Sequence, residues 1–209
     1  VNGSRSVSNG GAIGIYLCGN GNTIVEQNEV FECDRGIGLC SESYKLQTKD
    51  CIVRDNFVYN NFRTGIYMGA YLGFDGLSTK NCYVVNNTLF NNNLKGGQLD
   101  GTNNYLKVND RDNSSEGEIR LSELCEENVI ANNIIYAVSD RDIFIRKYTT
   151  SGKNNYSGGN IYFSPTKKNH KWIWDGKEYT DFSAWQAVSG DKTSVFDVDP
   201  LLKSTRLQQ

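Results

Sequence analysis

Val25-Glu26-Gln27-Asn28-Glu29-Val30-Phe31 is followed by Val53-Arg54-Asp55-Asn56-Phe57-Val58-Tyr59, by Val84-Val85-Asn86-Asn87-Thr88-Leu89-Phe90 and by Ile130-Ala131-Asn132-Asn133-Ile134-Ile135-Tyr136. Each reads apolar–x–x–Asn–x–apolar–aromatic, and a degenerate copy stands at Asn160-Ile161-Tyr162-Phe163. The central asparagines lie 28, 31, 46 and 27 residues apart. Self-similarity at such a period marks a solenoid, whose repeats bury a core only by stacking and whose function lies on a long outer face.

Within each copy apolar and polar residues alternate over a few positions, as short strands do. A second alternating run follows each asparagine: Gly36-Ile37-Gly38-Leu39, Gly65-Ile66-Tyr67-Met68 and Asp142-Ile143-Phe144-Ile145. An earlier run, Gly14-Ile15-Tyr16-Leu17, belongs to a coil whose first part precedes Val1 or is missing. One repeat therefore holds two or three short strands separated by Asn, Gly and Asp turns. No amphipathic helical stretch links them, which argues against βαβ units and for an all-β parallel β-helix of about five or six rungs. Asn tolerates left-handed backbone angles, and amides stacked at one corner of successive rungs can bond each other in a ladder. That role is assigned to Asn28, Asn56, Asn87 and Asn133, with ligand binding as the alternative.

These phrases resemble the right-handed parallel β-helix proteins of the pectate-lyase-like superfamily, over residues 11–202. Asn86-Asn87-Thr88-Leu89-Phe90-Asn91-Asn92 and Asn132-Asn133-Ile134-Ile135-Tyr136 carry the likeness. The tail adds Phe182-Ser183-Ala184-Trp185-Gln186, Gly190-Asp191, Ser194 and Asp199-Pro200-Leu201, which look like the end of many secreted bacterial β-helix proteins. The resemblance implies the fold more sharply than the activity, because the superfamily holds lyases, hydrolases, epimerases and non-catalytic adhesins.

The 209 residues suffice for one domain with a continuous core, and 38% hydrophobic content suits a thin solenoid with much surface. With 21 Gly and 2 Pro, turns are made by Gly and Asn. A net charge of −2 offers no electrostatic case for nucleic acid. No apolar run approaches the roughly 18 residues of a membrane span, so no membrane span is expected. No signal peptide is visible, but the chain opens mid-pattern, so a processed or truncated N-terminus is expected, and a secreted or cell-surface location is what the resemblance implies. Six cysteines without a CxxC pair, beside a single histidine, His170, do not suit zinc. Cys51 and Cys82 hold the same place in successive repeats, as do Cys18 and Cys40. They read as stacked free thiols, with a bridge inside either pair as the alternative.

The pattern breaks between Asn87 and Asn133. The excess falls in a polar insertion, residues 100–116, and long insertions in solenoids become loops on one face. The strand resumes at Gly117-Glu118-Ile119-Arg120-Leu121-Ser122-Glu123-Leu124, with Ile119 and Leu121 inward and Glu118, Arg120 and Ser122 outward. A smaller extension, residues 70–77, carries Tyr71, Phe74 and Asp75. The expected organisation is rungs over residues 1–164 and a C-terminal cap over 165–209. In the cap, Trp172 to Tyr179 form a hairpin around Asp175-Gly176, and Thr180 or Asp181 caps a short helix ended by Gly190. A sugar-stacking role for Trp172 or Trp174 is a further possibility.

Outward positions of the second strand form a stripe: Tyr16, Gly38, Tyr67, then Gln98 or Arg120, and Phe144. Rings, gaps and polar groups in a row suit an extended sugar chain, so Tyr16, Tyr67, Gln98, Phe144 and Arg146 are candidate substrate-binding residues for a polysaccharide or oligosaccharide. A hydrolase needs two carboxylates flanking the bond. Candidates are Glu42, Asp75, Asp100, Glu118 and Glu123; Glu42 resembles a glutamate at this place in related bacterial β-helix proteins. A lyase of this superfamily would need a basic residue, for which Arg120, Arg146 and Lys147 are candidates. It would also need something to neutralise a uronate, commonly calcium, here near Asp75, Asp100 and Glu118. Arg35, Arg63 and Arg141 read as turn or surface residues. No pectate-lyase calcium cluster and no polygalacturonase-type Gly-His-Gly is present. The reading is a carbohydrate-active domain, hydrolase slightly ahead of lyase. The alternatives are a non-catalytic carbohydrate-binding or adhesion module, or the C-terminal portion of a longer enzyme.

Overall fold

The computed structural model describes residues 12–71, 73–94, 116–138, 143–147, 149–166 and 170–203. Its strands assemble into three long sheets. The broad sheet has seven strands: Ile13–Cys18, Arg35–Cys40, Thr64–Met68, Ile119–Leu121, Ile143–Lys147, Lys171–Trp174 and Lys177–Tyr179. A second has five, Ile24–Glu26, Ile52–Arg54, Tyr83–Val85, Val129–Ala131 and Tyr156–Gly158. A third has six, Glu29–Phe31, Phe57–Tyr59, Thr88–Phe90, Ile134–Tyr136, Ile161–Phe163 and Val195–Phe196. Each strand pairs parallel with its counterpart one repeat on, which makes each quoted repeat one rung.

Register turns the sequence alternation into columns. Val25, Val53, Val84 and Ile130 align inside the second sheet. Val30, Val58, Leu89, Ile135 and Tyr162 align inside the third. Ile37, Ile66, Ile119 and Ile145 align inside the broad sheet. All are buried in one continuous core, and each such side chain contributes roughly 1.5–3 kcal/mol of transfer free energy.

The corner between the second and third sheets shows why the motif carries Asn. The residue before it takes the left-handed conformation in every rung: Gln27 at φ 56°, Asp55 at 54°, Asn86 at 56°, Asn132 at 57° and Gly159 at 66°. That bend belongs to the preceding position, so the motif Asn itself is free to act as an amide. Asn56 Oδ1 accepts from Asn28 Nδ2 at 3.0 Å, Asn87 Oδ1 from Asn56 at 2.9 Å, Asn133 Oδ1 from Asn87 at 3.1 Å and Asn160 Oδ1 from Asn133 at 3.0 Å. The same oxygens accept the backbone N–H of the preceding ladder residue. Nδ2 groups also donate to Val25, Val53 and Val84 carbonyls, so buried amides are fully used. A second, shorter ladder runs from the Cys33 amide through Asn61 and Asn92.

At the C-terminal end Lys171–Trp174 joins the broad sheet and pairs antiparallel with Lys177–Tyr179 across Asp175 and Gly176, both left-handed. The helix Phe182–Ser189 is capped by the Asp181 side chain and ends at left-handed Gly190. Trp172 and Trp185 stack at 5.4 Å, and Trp172, Trp174 and Trp185 are buried. The tryptophans therefore close the core, and the sugar-stacking possibility for Trp172 and Trp174 is corrected. Phe144 is a second correction. Ile143 pairs with Lys171 but Arg146 pairs with Ile173, a bulge that breaks alternation and turns both Phe144 and Ile145 into the core. Phe144 packs on Tyr162 and Trp172 and faces no groove.

All six cysteines are free, and only Cys18 is exposed. Burial pushes the Cys82 and Cys125 thiols up to about 12, which leaves them protonated at neutral pH. No helix among the described residues is long and apolar enough to cross a membrane.

The ladder is expected to dominate tolerance to substitution. Asn87→Ala strands a donor and an acceptor in neighbouring rungs and should cost about 2–4 kcal/mol, read as a lower urea midpoint at unchanged m. Asn28→Ala, at the half-exposed end, should cost under about 1 kcal/mol by the same measurement.

Candidate functional site

The corner between the second and third sheets is two residues long in every rung. Chain length varies only at the corners flanking the broad sheet, so its outer face is the one bordered by loops. The outward column there is Tyr16, Gly38, Tyr67, Arg120 and Arg146. A side chain at Gly38 would collide with the Tyr67 ring at 2.5 Å. That gap lets Tyr67 lie across the preceding rung and stack on Tyr16, with ring centroids 6.4 Å apart and planes 17° apart. The Arg35 guanidinium lies 5.3 Å from the Tyr67 ring centre. Tyr67 is thus covered, whereas Tyr16 stays 42% exposed.

Beside the column lies a buried ion cluster. Arg35 clamps Glu116 with both Nε–Oε2 at 3.1 Å and Nη2–Oε1 at 2.9 Å. Arg63 reaches Oε1 at 2.6 Å and Arg120 at 2.9 Å. Glu116 and Arg63 have no exposed surface. Burial alone would raise the Glu116 carboxyl, but Arg120, Arg35 and Arg63 outweigh it and hold the group well below the usual carboxylate range. Burial raises Asp34, partly offset by the Ala12 N–H it accepts and by Arg35 and Arg63.

This cluster corrects three sequence assignments. Arg35 and Arg63 are not surface turn residues; they are committed to Glu116. Arg120 points away from the core as expected, but its head is buried on the same carboxylate. The signal was present: three positions before the aligned isoleucines Ile37, Ile66 and Ile119 stand Asp34, Arg63 and Glu116. Signs alternate from rung to rung, at strand spacing of about 4.8 Å. Glu118 is a fourth correction. It occupies the place of Gly36 and Gly65 at the strand's entry, and its side chain turns into the corner. There it accepts from Asn92 Nδ2 at 2.6 Å and Asn92 N at 2.9 Å, so it caps the second ladder and is no surface acid.

The other candidates fall in two groups. Lys147 is buried, with its ammonium held by the Thr149 carbonyl at 2.5 Å, the Ser151 carbonyl at 3.1 Å and Asp175. Glu123 accepts from Thr149 Oγ1 at 3.2 Å, from Ser151 and from Gly73 N at 3.3 Å. Arg146, next in the column, is 7% exposed. Glu42 and Asp75, by contrast, are exposed on adjoining loops joined by the Ser43–Leu77 bridge. The Tyr44 hydroxyl donates to Asp75 at 2.9 Å, and Tyr44 and Tyr71 both pack on buried Phe74 with centroids 5.0 Å away. Tyr44 and Tyr71 are 68% and 49% exposed. The Glu42 charge is among those that raise the Tyr16 phenol, after burial, Cys40 and Cys18. Asp100, Gln98 and Arg141 lie outside the described residues, as does nearly all of the 100–116 insertion. Among the described residues no group of three His, Cys, Asp or Glu side chains could hold a metal ion.

Parallel rungs, an amide ladder and a loop-bordered broad sheet define a parallel β-helix. Residues 4–110 match the model of the right handed beta helix region, and the chain belongs to that family. It is also 30% identical over 193 residues to the uncharacterized protein YwoF of Bacillus subtilis (strain 168), across 91% of this chain and 36% of that protein. The chain thus spans about a third of the length of that relative. No solved structure matches.

Glu116→Gln should remove the charge that holds three buried guanidiniums and destabilise the fold by on the order of 3–5 kcal/mol at pH 7. Because the folded carboxyl is depressed, its contribution is complete above its ordinary value of 4.5 and is lost progressively as pH falls below it. Urea midpoints at pH 7 and pH 3 should therefore show a smaller acid-induced loss in the variant than in the native protein.

Proposed function

We propose that this domain binds a polysaccharide along the loop edge of the broad sheet and cleaves it by hydrolysis. The observation that carries the reading is the pairing of exposed carboxylates Glu42 and Asp75 with the exposed rings of Tyr16, Tyr44 and Tyr71. Tyrosine faces offer rigid apolar area with a polar tip, suited to the apolar face and hydroxyls of a sugar. Glu42 serves as the acid that protonates the glycosidic oxygen. Asp75, oriented by the Tyr44 hydroxyl, serves as base or nucleophile. Two of the three basic residues a lyase would draw on are engaged elsewhere: Arg120 with Glu116, and Lys147 with Asp175 and two carbonyls. That favours hydrolysis over elimination. A secreted or cell-surface location fits such a substrate and belongs to the same proposal.

A panel of neutral and acidic polysaccharides, with and without calcium, tests this by new reducing ends and by the ultraviolet absorbance of unsaturated uronides. Reducing ends without absorbance are expected. Glu42→Gln and Asp75→Asn should each lower turnover by about 10²–10⁴-fold with folding intact. Tyr44→Ala and Tyr71→Ala should weaken binding by about 1–2 kcal/mol each. Absorbance would shift the chemistry to elimination, and binding with no product in either channel would leave an adhesion module.

A further inference from the structure

On the outside of the third sheet the chain doubles back on itself. After Val195–Phe196 pairs with Ile161 and Tyr162, Asp197 N bonds the Tyr162 carbonyl at 3.0 Å. The tail then runs against the rung direction, over the third sheet, and reaches Tyr136 and Phe90 of earlier rungs. Between tail and sheet lies an open cavity of about 400 Å³, lined by Phe90, Tyr136, Asp199, Leu201, Leu202 and Lys203.

Two features distinguish this cavity from an ordinary crevice. Its lining is amphipathic: two rings with centroids 5.0 Å apart and two leucines make the walls, while a carboxylate, an ammonium and a phenol stand at the rim. Burial, and then the Asp199 charge, raise the Tyr136 phenol, so Asp199 stands within electrostatic reach of that hydroxyl. Its rim is also strained. Leu201 has φ 50°, a conformation that costs a non-glycine residue about 1–3 kcal/mol, and its side chain is 76% exposed. The Asp199 carboxylate holds that turn by accepting Leu201 N at 2.8 Å. Left-handed non-glycine residues recur through the chain, Leu124 at φ 57° among them; what bears on the cavity is that this turn leaves the Leu201 side chain exposed in its lining.

We propose that this cavity is a second carbohydrate subsite, roomy enough for a pyranose ring and separate from the loop patch of the broad sheet. The ring's apolar face rests on Tyr136 and Phe90, Leu201 closes over it, and its hydroxyls bond Asp199, Lys203 and the Tyr136 phenol. No covalent step is involved. Such a subsite would anchor a sugar chain away from the cleavage position, and it stands whether or not Glu42 and Asp75 are catalytic.

Saturation-transfer NMR on the full chain, with the methyl glycosides of glucose, galactose and galacturonic acid as separate probes, tests the subsite. At least one glycoside should give a signal that Asp199→Ala weakens at least tenfold and that Lys203→Ala also weakens. Tyr44→Ala should lower only the share of the signal that comes from the loop patch and leave the Asp199-dependent share intact, which separates the two. Leu201→Gly should weaken binding while raising the urea midpoint, since it relieves the turn but removes the closing side chain. All of these positions lie at the surface, so folding is preserved and is verified by circular dichroism. The proposal is overturned if no glycoside gives a signal sensitive to Asp199→Ala, or if every signal is lost with Tyr44→Ala instead.

Discussion

The hydrogen bond from one asparagine amide to the next, repeated at one corner of the solenoid, is the constraint on which the rest of the structure depends. Backbone pairing alone does not choose a register, and burial excludes a slip of one residue, which would exchange core and surface faces, but not a slip of two. The amide ladder removes that freedom. The Oδ1 atoms of Asn56, Asn87, Asn133 and Asn160 each receive two donors from the rung before, and each Nδ2 reaches a carbonyl as well. The left-handed residue just before the amide sets the bend, which is why Gln27, Asp55, Asn86, Asn132 and Gly159 can differ while the amide does not.

Once register is fixed, equivalent positions must share an environment, and the chemistry of the broad face follows. Gly38 exists beside Tyr67 because the ring needs its space. Glu116 stands beside Arg63 because one rung's corner lies on the next. The cluster of three guanidiniums on one carboxylate is an expensive arrangement to bury and is retained where the polar insertion rejoins the rungs. The accessible acids and tyrosines sit on the opposite border of the broad sheet, on the loops after the strands.

The fold was legible in the sequence because its determinant is periodic. Four copies of one phrase, read as strands with an amide corner, give rungs and core columns, and the tail's own turn and cap residues give the hairpin and helix. The site was less legible, for physical reasons that differ by residue. Alternation misplaced Phe144, because a bulge is a local break in the very period being used. It misplaced Glu118, because a residue at a strand's entry answers to the corner and not to the sheet. Arg35 and Arg63 looked like surface residues because pairing across rungs is invisible until repeats are aligned in register. Aligning them on Ile37, Ile66 and Ile119 exposes the alternating charges at once. Glu42 and Asp75 were singled out from position relative to the strand ends, and the exposed rings on the adjoining loops became visible only in three dimensions.

The register of the rungs rests on the ladder, and side-chain amide hydrogen exchange measures it directly. NMR of uniformly labelled protein should show the Nδ2 protons of Asn56, Asn87 and Asn133 exchanging only through global unfolding, far more slowly than those of exposed Asn20. Exchange of the three at the rate of Asn20 would contradict it, because amides open to water cannot hold the rungs in register.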